Sequence, residues 1–232
     1  MAAGEGRRLL PLTERYAKPA LPIDGQPVLA TLLRELAAAG CTRTTIVVGH
    51  LRDQVEALTG DGSAFGLDVR YAVQPEVLGS ADAVERALAS GAQQPFLLVG
   101  ADTVFTSGDL ARFCDAVTGH DGGLAVRREP PPSPPARFAV RIDGGLVRRV
   151  LDDDPANPLA AAPLWMIGPA IVPHLEGLGG PPYEVAHALQ RAIDAGARVA
   201  GVEIGPTRDL TTPFDLLEHN FPYLAGLTRP VD

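Results

Sequence analysis

Residues 3–18 read AGEGRRLLPLTERYAK, a run in which small residues, two arginines and one lysine stand close together. At Ala3, Gly4 and Gly6, backbone amides can approach an anion without side-chain obstruction, and Arg7 and Arg8 add positive charge beside them. Glycine turns of this kind also occur in many ordinary loops. Lys18 narrows the reading, because of the 20 Lys and Arg side chains in the protein every other one is arginine. A compact ammonium and a broad planar guanidinium are not interchangeable, so a lone lysine beside the glycines and arginines marks this stretch. The chemistry these residues suit is the handling of a phosphorylated small molecule.

Composition limits the partners. The chain has 232 residues, 46% hydrophobic and 21% charged, enough for one sizeable core with a small second lobe. A formal net charge of −8 argues against a nucleic-acid surface, which needs a dense basic stripe, but leaves room for a local phosphate pocket. Cys41 and Cys114 stand in unrelated contexts and suggest neither a disulfide framework nor a thiolate metal site. The five histidines show no pairing that suggests zinc. No apolar run reaches the length of a membrane span and no secretory signal is visible, so a cytoplasmic protein is expected.

The elements that must position these residues follow from hydrophobic period. PVLATLLRELAAAG, residues 27–40, puts Val28, Leu29, Leu32, Leu33 and Leu36 on one helical stripe. Strands are expected at 44–49, 67–73 and 96–100, with helices at 51–58 and at 80–90, the latter with Ser80 as its N-cap. The alternation implies an α/β fold, a Rossmann-like and mostly parallel sheet flanked by helices, with ligands beyond the carboxyl ends of its strands. After residue 122 the character changes. GGLAVRR, RFAVRID and LVRRVL read as short strands, the last two joined at Gly144 and Gly145 as a hairpin, with the proline-rich EPPPSPP an exposed loop. Later helices are expected at 183–196 and 212–221, the second with Thr212 as N-cap and Pro213 at its first position. Trp165 reads as core.

At this point the chain resembles the sugar-phosphate nucleotidyltransferases, nearest the glucose-1-phosphate thymidylyltransferase and uridylyltransferase branch. The family signature Ala-Gly-x-Gly-Thr-Arg-Leu, then Pro-Leu-Thr, then Pro-Lys and a second proline, is similar to AAGEGRRLLPLTERYAKPALP, with Arg7 standing where the family has the threonine before its arginine. QPEVLGSADAV, LLVGADTVF and TRDLTTPFDLLEHN continue the likeness over residues 2–220, nearly the whole chain. The resemblance implies one nucleotidyltransferase domain over 1–232, with a nucleotide-binding half (1–121) and a β-rich half (122–232) for the sugar phosphate and a second metal ligand. By that likeness Ala3, Gly4 and Gly6 meet the triphosphate, Arg8 the leaving pyrophosphate, and Lys18 the phosphates near the reacting centre. Gln74, Gly79 and Ser80 take the nucleotide base, and Asp102 and Asp209 hold Mg²⁺.

The second half departs from the pattern. Phe138 and Ala139 stand where a Tyr-Gly pair often touches the sugar, and Asp152 stands for a glutamate whose following lysine is missing. An arginine such as Arg137 or Arg208 could supply that charge, or the acceptor could differ. The resemblance also implies a buried apolar strand of roughly five residues leading into the glycine loop, whereas here Met1 is followed at once by AAGEG. A short Val/Ile/Leu/Ala run upstream of Met1 is therefore expected, filling the middle of the sheet. The expected activity is Mg²⁺-dependent nucleotidyl transfer from UTP or dTTP to a sugar 1-phosphate, giving an NDP-sugar and pyrophosphate. The alternatives are transfer to a non-sugar phosphate such as phosphocholine, or a catalytically weak nucleotide-sensing subunit. A homo-oligomer is compatible with either.

Overall fold

The computed structural model describes residues 1–129, 139–154 and 156–226. Phe138, Arg137 and the proline-rich loop over 130–135 lie outside them. The strands are β1 (Pro22–Ile23), β2 (Gln26–Pro27), β3 (Arg43–Val48), β4 (Asp68–Val73), β5 (Phe96–Val99), β6 (Thr103–Val104), β7 (Gly122–Arg128), β8 (Ala139–Asp143), β9 (Leu146–Asp152), β10 (Leu159–Ile167), β11 (Val199–Glu203) and β12 (Arg208–Asp209). The α-helices are α1 (Val28–Ala38), α2 (Arg52–Thr59), α3 (Ser80–Ala89), α4 (Asp109–Val117), α5 (Val185–Asp194) and α6 (Pro213–Gly226).

β3 and β4 pair in parallel, and a larger sheet runs in the order β5-β10-β7-β11-β9-β8. The parallel order read from the first half holds for β3 and β4, and again for β7 and β11, but β10 lies antiparallel between β5 and β7. Alternation along its residues explains how one strand serves two cores. Leu164 and Met166 join Leu33, Leu36 and Phe113 of α1 and α4, while Trp165 and Ile167 join Val84 and Leu189 of α3 and α5. Helices thus cover both faces, the α/β arrangement expected, and Trp165 is core.

The β8–β9 hairpin turns through Gly144 and Gly145 at φ 56° and 77°, the positive pair a two-residue hairpin favours. One local expectation is corrected. Ser80 is the first residue of α3 and not its N-cap; Gly79 holds the cap position and no side chain caps that end. Among the described residues no helix is long and apolar enough to cross a membrane.

Residues 1–3 enter between β3 and β5. Ala2 forms a parallel bridge with Val48, its N–H donating to Val47 O at 2.8 Å, and the Met1 amine donates to Val99 O at 2.7 Å. These contacts bring the glycine loop out at the carboxyl ends of both strands, where an α/β sheet places its ligands.

Candidate active site

The glycine loop is fixed at both ends and open in the middle. Gly6 adopts φ 64°, and a Cβ there would come within 2.8 Å of the Thr13 methyl carbon, so the close turn requires glycine. Buried Thr13 donates its hydroxyl to Gly6 O at 2.9 Å, and fully buried Leu9 anchors the turn that follows. On the other side, His50 N–H donates to Ala3 O at 3.2 Å while its Nε2 lies 2.8 Å from Thr13 O. Around Gly4 there is space: an added Cβ would meet nothing within 4 Å. A cleft of about 380 Å³ opens there, lined by Gly4, Gly6, Arg8, Lys18, Val77 and Thr211. Arg8 is exposed at this cleft, whereas Arg7 is tied to Glu5 by a 2.6 Å ion pair.

Lys18 is positioned by a residue that sequence reading missed. Gln54 of α2 accepts from Ala17 N–H at 2.8 Å and donates to Arg15 O at 2.7 Å, clamping the backbone just before the lysine. Gln54 lies in an otherwise ordinary exposed-looking stretch, RDQVEA, with no signal to single it out. The Lys18 ammonium then forms an ion pair with Asp102, both side chains largely shielded.

Asp102 and Asp209 arrive from distant parts of the chain, Asp102 in the turn just before β6 and Asp209 on β12. β12 pairs antiparallel with β6, setting Asp209 opposite Thr103, and Leu210 N–H donates to Asp102 O at 3.2 Å. The segment before Asp209 is pinned by Gly205 N–H to the buried Asp109 carboxylate at 2.8 Å and by the Thr106 hydroxyl to Pro206 O at 3.0 Å. The Asp209 carboxylate accepts from Thr103 at 2.7 Å, from Thr207 at 2.9 Å, and from the Arg127 guanidinium. Arg127, at the end of β7, also pairs with Glu129 at 2.8 Å. It is a second site residue missed in the sequence, hidden in the Arg-Arg pair that ends an apolar strand.

The residues expected around the base form a more closed unit. Gln74 is 3% exposed, and its side-chain NH₂ donates to Gly79 O at 3.0 Å and to Asp82 at 2.7 Å. Because a carboxylate only accepts, Asp82 fixes Nε2 as the group toward it and leaves Oε1 as the acceptor of the Gln74 amide. Burial works against the Asp82 charge, but hydrogen bonds from Arg86 and Gln74 outweigh it and hold its pKa below the ordinary value. Gly79 sits at φ 113°, where a Cβ would come within 2.3 Å of Tyr183 O. The Ser80 hydroxyl donates to Glu184 at 2.5 Å and accepts from Val185 N–H at 2.8 Å, tying α3 to the start of α5.

Ala139 and Asp152 are brought together as register partners of β8 and β9, with Ala139 also opposite Ala160 of β10. The Asp152 carboxylate is already engaged, by Arg141 at 3.0 Å and Asn157 at 2.7 Å. Its burial is outweighed by these two partners, which depress its pKa. Arg208 pairs with Asp24 at 2.6 Å.

Known proteins resemble this chain in sequence and in fold. The nucleotidyl transferase family profile matches residues 1–148. Glucose-1-phosphate thymidylyltransferase of Streptomyces antibioticus is 33% identical over 246 aligned positions, covering 100% of this chain and 67% of that protein. The enzyme of the same name from Streptomyces griseus is 34% identical, covering 95% and 64%. The chain therefore spans about two thirds of the length of the curated relatives it matches. A solved structure of UDP-glucose pyrophosphorylase complexed with UDP-glucose superimposes with a TM-score of 0.84 over 97% of each chain at 19% identity, which shows the shared fold. The chain belongs to the sugar-phosphate nucleotidyltransferase family, and it is an enzyme of the nucleotidyltransferase class.

Proposed function

We propose that the chain transfers a nucleotidyl group from UTP or dTTP to a sugar 1-phosphate, releasing pyrophosphate. The carrying observation is the meeting of Lys18 with Asp102 beside an open glycine loop, with Arg8 lining the same cleft. A sugar-phosphate oxygen attacks the α-phosphorus, a new P–O bond forms, and the bridging P–O bond breaks with its electron pair leaving on pyrophosphate. The attacking oxygen is already anionic, so no base is needed. Negative charge spreads over the phosphoryl oxygens during transfer, and fixed cations and amides supply most of the catalysis. Free amides near Gly4 receive the triphosphate, Arg8 balances the departing pyrophosphate, and Lys18 exchanges Asp102 for the transferring phosphate.

The carboxylates fit Mg²⁺. Two oxygen-donor side chains, one just before β6 and one on the β12 strand paired with it, suit an ion that is held by one or two carboxylates. Asp102 and Asp209 would hold it, and it would supply positive charge against that of the nucleotide phosphates. Before binding, Lys18 and Arg127 keep the two carboxylates compensated.

Gln74 sets the base preference in this reading. With Nε2 engaged by Asp82, its Oε1 accepts the N3–H that uracil and thymine carry and cytosine lacks, while Gly79 lets the ring lie against backbone. The Ser80 hydroxyl is engaged with α5, leaving only its backbone for the base. The test is kcat/KM for UTP, dTTP, CTP, ATP and GTP with a panel of sugar 1-phosphates. UTP or dTTP should lead by at least about tenfold, the scale of one selective buried hydrogen bond. Equal or better use of a purine nucleotide would defeat the base assignment.

A further inference from the structure

A glutamine amide can be turned over, exchanging its oxygen for its NH₂, so a base contact through Gln74 is selective only when something holds the amide one way round. Gln74 follows β4 directly, and its backbone N–H donates to Val48 O at 2.8 Å, which anchors the residue to the end of β3. Both hydrogens of Nε2 are then taken by oxygens, one by Gly79 O at 3.0 Å and one by the Asp82 carboxylate at 2.7 Å.

The two acceptors are unequal. A neutral hydrogen bond such as that to Gly79 O favours one orientation by about fivefold, whereas a bond to an ionised group adds about tenfold to a hundredfold. Asp82 lies in the first turn of α3 with its side chain largely shielded, and Arg86, one turn on, donates to the same oxygen, Oδ2, at 2.8 Å. That ion pair keeps Asp82 charged against its burial, and a charged carboxylate has no donor to offer. Turning the Gln74 amide over would therefore set Oε1 against two oxygens, one of them negatively charged.

We propose that Asp82 is the specificity-determining residue behind Gln74: it holds the amide with Oε1 as the acceptor and so selects a base that carries N3–H, uracil or thymine, over cytosine. The inference rests on the reading of Gln74 as the base contact. Asp82 acts through Gln74 and is a positioning residue, so its effect belongs to the ratio between nucleotides. A residue needed only for the fold would weaken UTP and CTP alike, whereas Asp82 moves one against the other. Asp82→Asn separates hydrogen bond from charge, because its amide oxygen in the place of Oδ2 accepts from Gln74 and Arg86 as the carboxylate does.

The experiment measures the dissociation constants of UTP and CTP by calorimetry for the wild-type chain and for Asp82→Ala, Asp82→Ser and Asp82→Asn, with a melting curve for each. Asp82→Ala should reduce the CTP-to-UTP ratio of dissociation constants by about tenfold. Asp82→Ser, whose hydroxyl turns to donate or accept, should show a fall of similar size, so the test stands even where the alanine variant does not fold. Asp82→Asn should keep the ratio within about threefold of wild type. A wild-type preference for UTP with an unchanged ratio in the alanine and serine variants would overturn the inference and leave the base reading standing. An equal fall in Asp82→Asn would overturn it too, since the loss would then follow the charge and not the accepted hydrogen bond. Equal binding of UTP and CTP by the wild-type chain would defeat the base reading itself, and this inference with it.

Discussion

At the residue scale the arrangement rests on geometry more than on charge. Lys18→Arg keeps the sign of the side chain but widens it into a planar fork, so kcat should fall by about tenfold to a hundredfold with nucleotide affinity nearly unchanged. Wild-type turnover in that variant would make the single lysine an accident of composition. Gln54 acts through Lys18 and is a positioning residue. Gln54→Leu removes two hydrogen bonds from the backbone at Arg15 and Ala17, and it should lower kcat several-fold while leaving the KM for nucleotide within about twofold. An equal loss in an assay of global stability would assign the effect to folding instead. Lys18, Asp102 and Asp209 were legible in the sequence because their types and flanking motifs are distinctive. Gln54 and Arg127 were not, since a glutamine on a short helix and one of two adjacent arginines carry no pattern until the fold sets them against Ala17 and Asp209.

At the element scale, strands and helices with a clear period were read to within a few residues, including β7 at 122–128 and the helix opened by Pro213. β10 was missed for a physical reason. Both of its faces are buried, and the small residues of LAAAPLWMI give neither the alternation of a half-exposed strand nor a helical stripe. α4 did carry a signal, Leu110, Phe113 and Val117 on one face, and its buried Asp109 proves to hold the segment leading to Asp209. The α3–α5 contact gives a direct prediction. Gly79→Ala forces an L-residue to φ 113° and a Cβ into Tyr183 O, so it should cost about 2 kcal/mol or more and lower Tm by roughly 4–8 °C. An unchanged melting curve would show that the approach of Tyr183 is not needed.

At the scale of the whole molecule, stability should respond to pH at two ends. Burial lowers the Met1 amine from 8.0 to about 6, with Asp102 pulling weakly the other way. The unfolded amine therefore binds more protons than the folded one between those values, so stability rises as pH goes from 6 to 8 and is flat above. The depressed Asp82, Asp152 and Asp215 carboxylates work oppositely in acid: their contribution is whole above the ordinary carboxylate range and is lost as pH falls through their lowered values. Denaturant melts from pH 3 to 9 should show both slopes, and acetylating the amine should abolish the upper one.

The central claim is a coupled transfer, in which the bond to pyrophosphate breaks only as the bond to the acceptor forms. Its most direct measurement is pyrophosphate release with UTP or dTTP and Mg²⁺, with and without a sugar 1-phosphate, alongside quantitation of the nucleotide-sugar. The account predicts release only when both substrates are present, one pyrophosphate for each NDP-sugar, and none in the Lys18→Ala variant at matched nucleotide occupancy. Release without an acceptor, or tight nucleotide binding with no release for any phosphorylated acceptor, would contradict it.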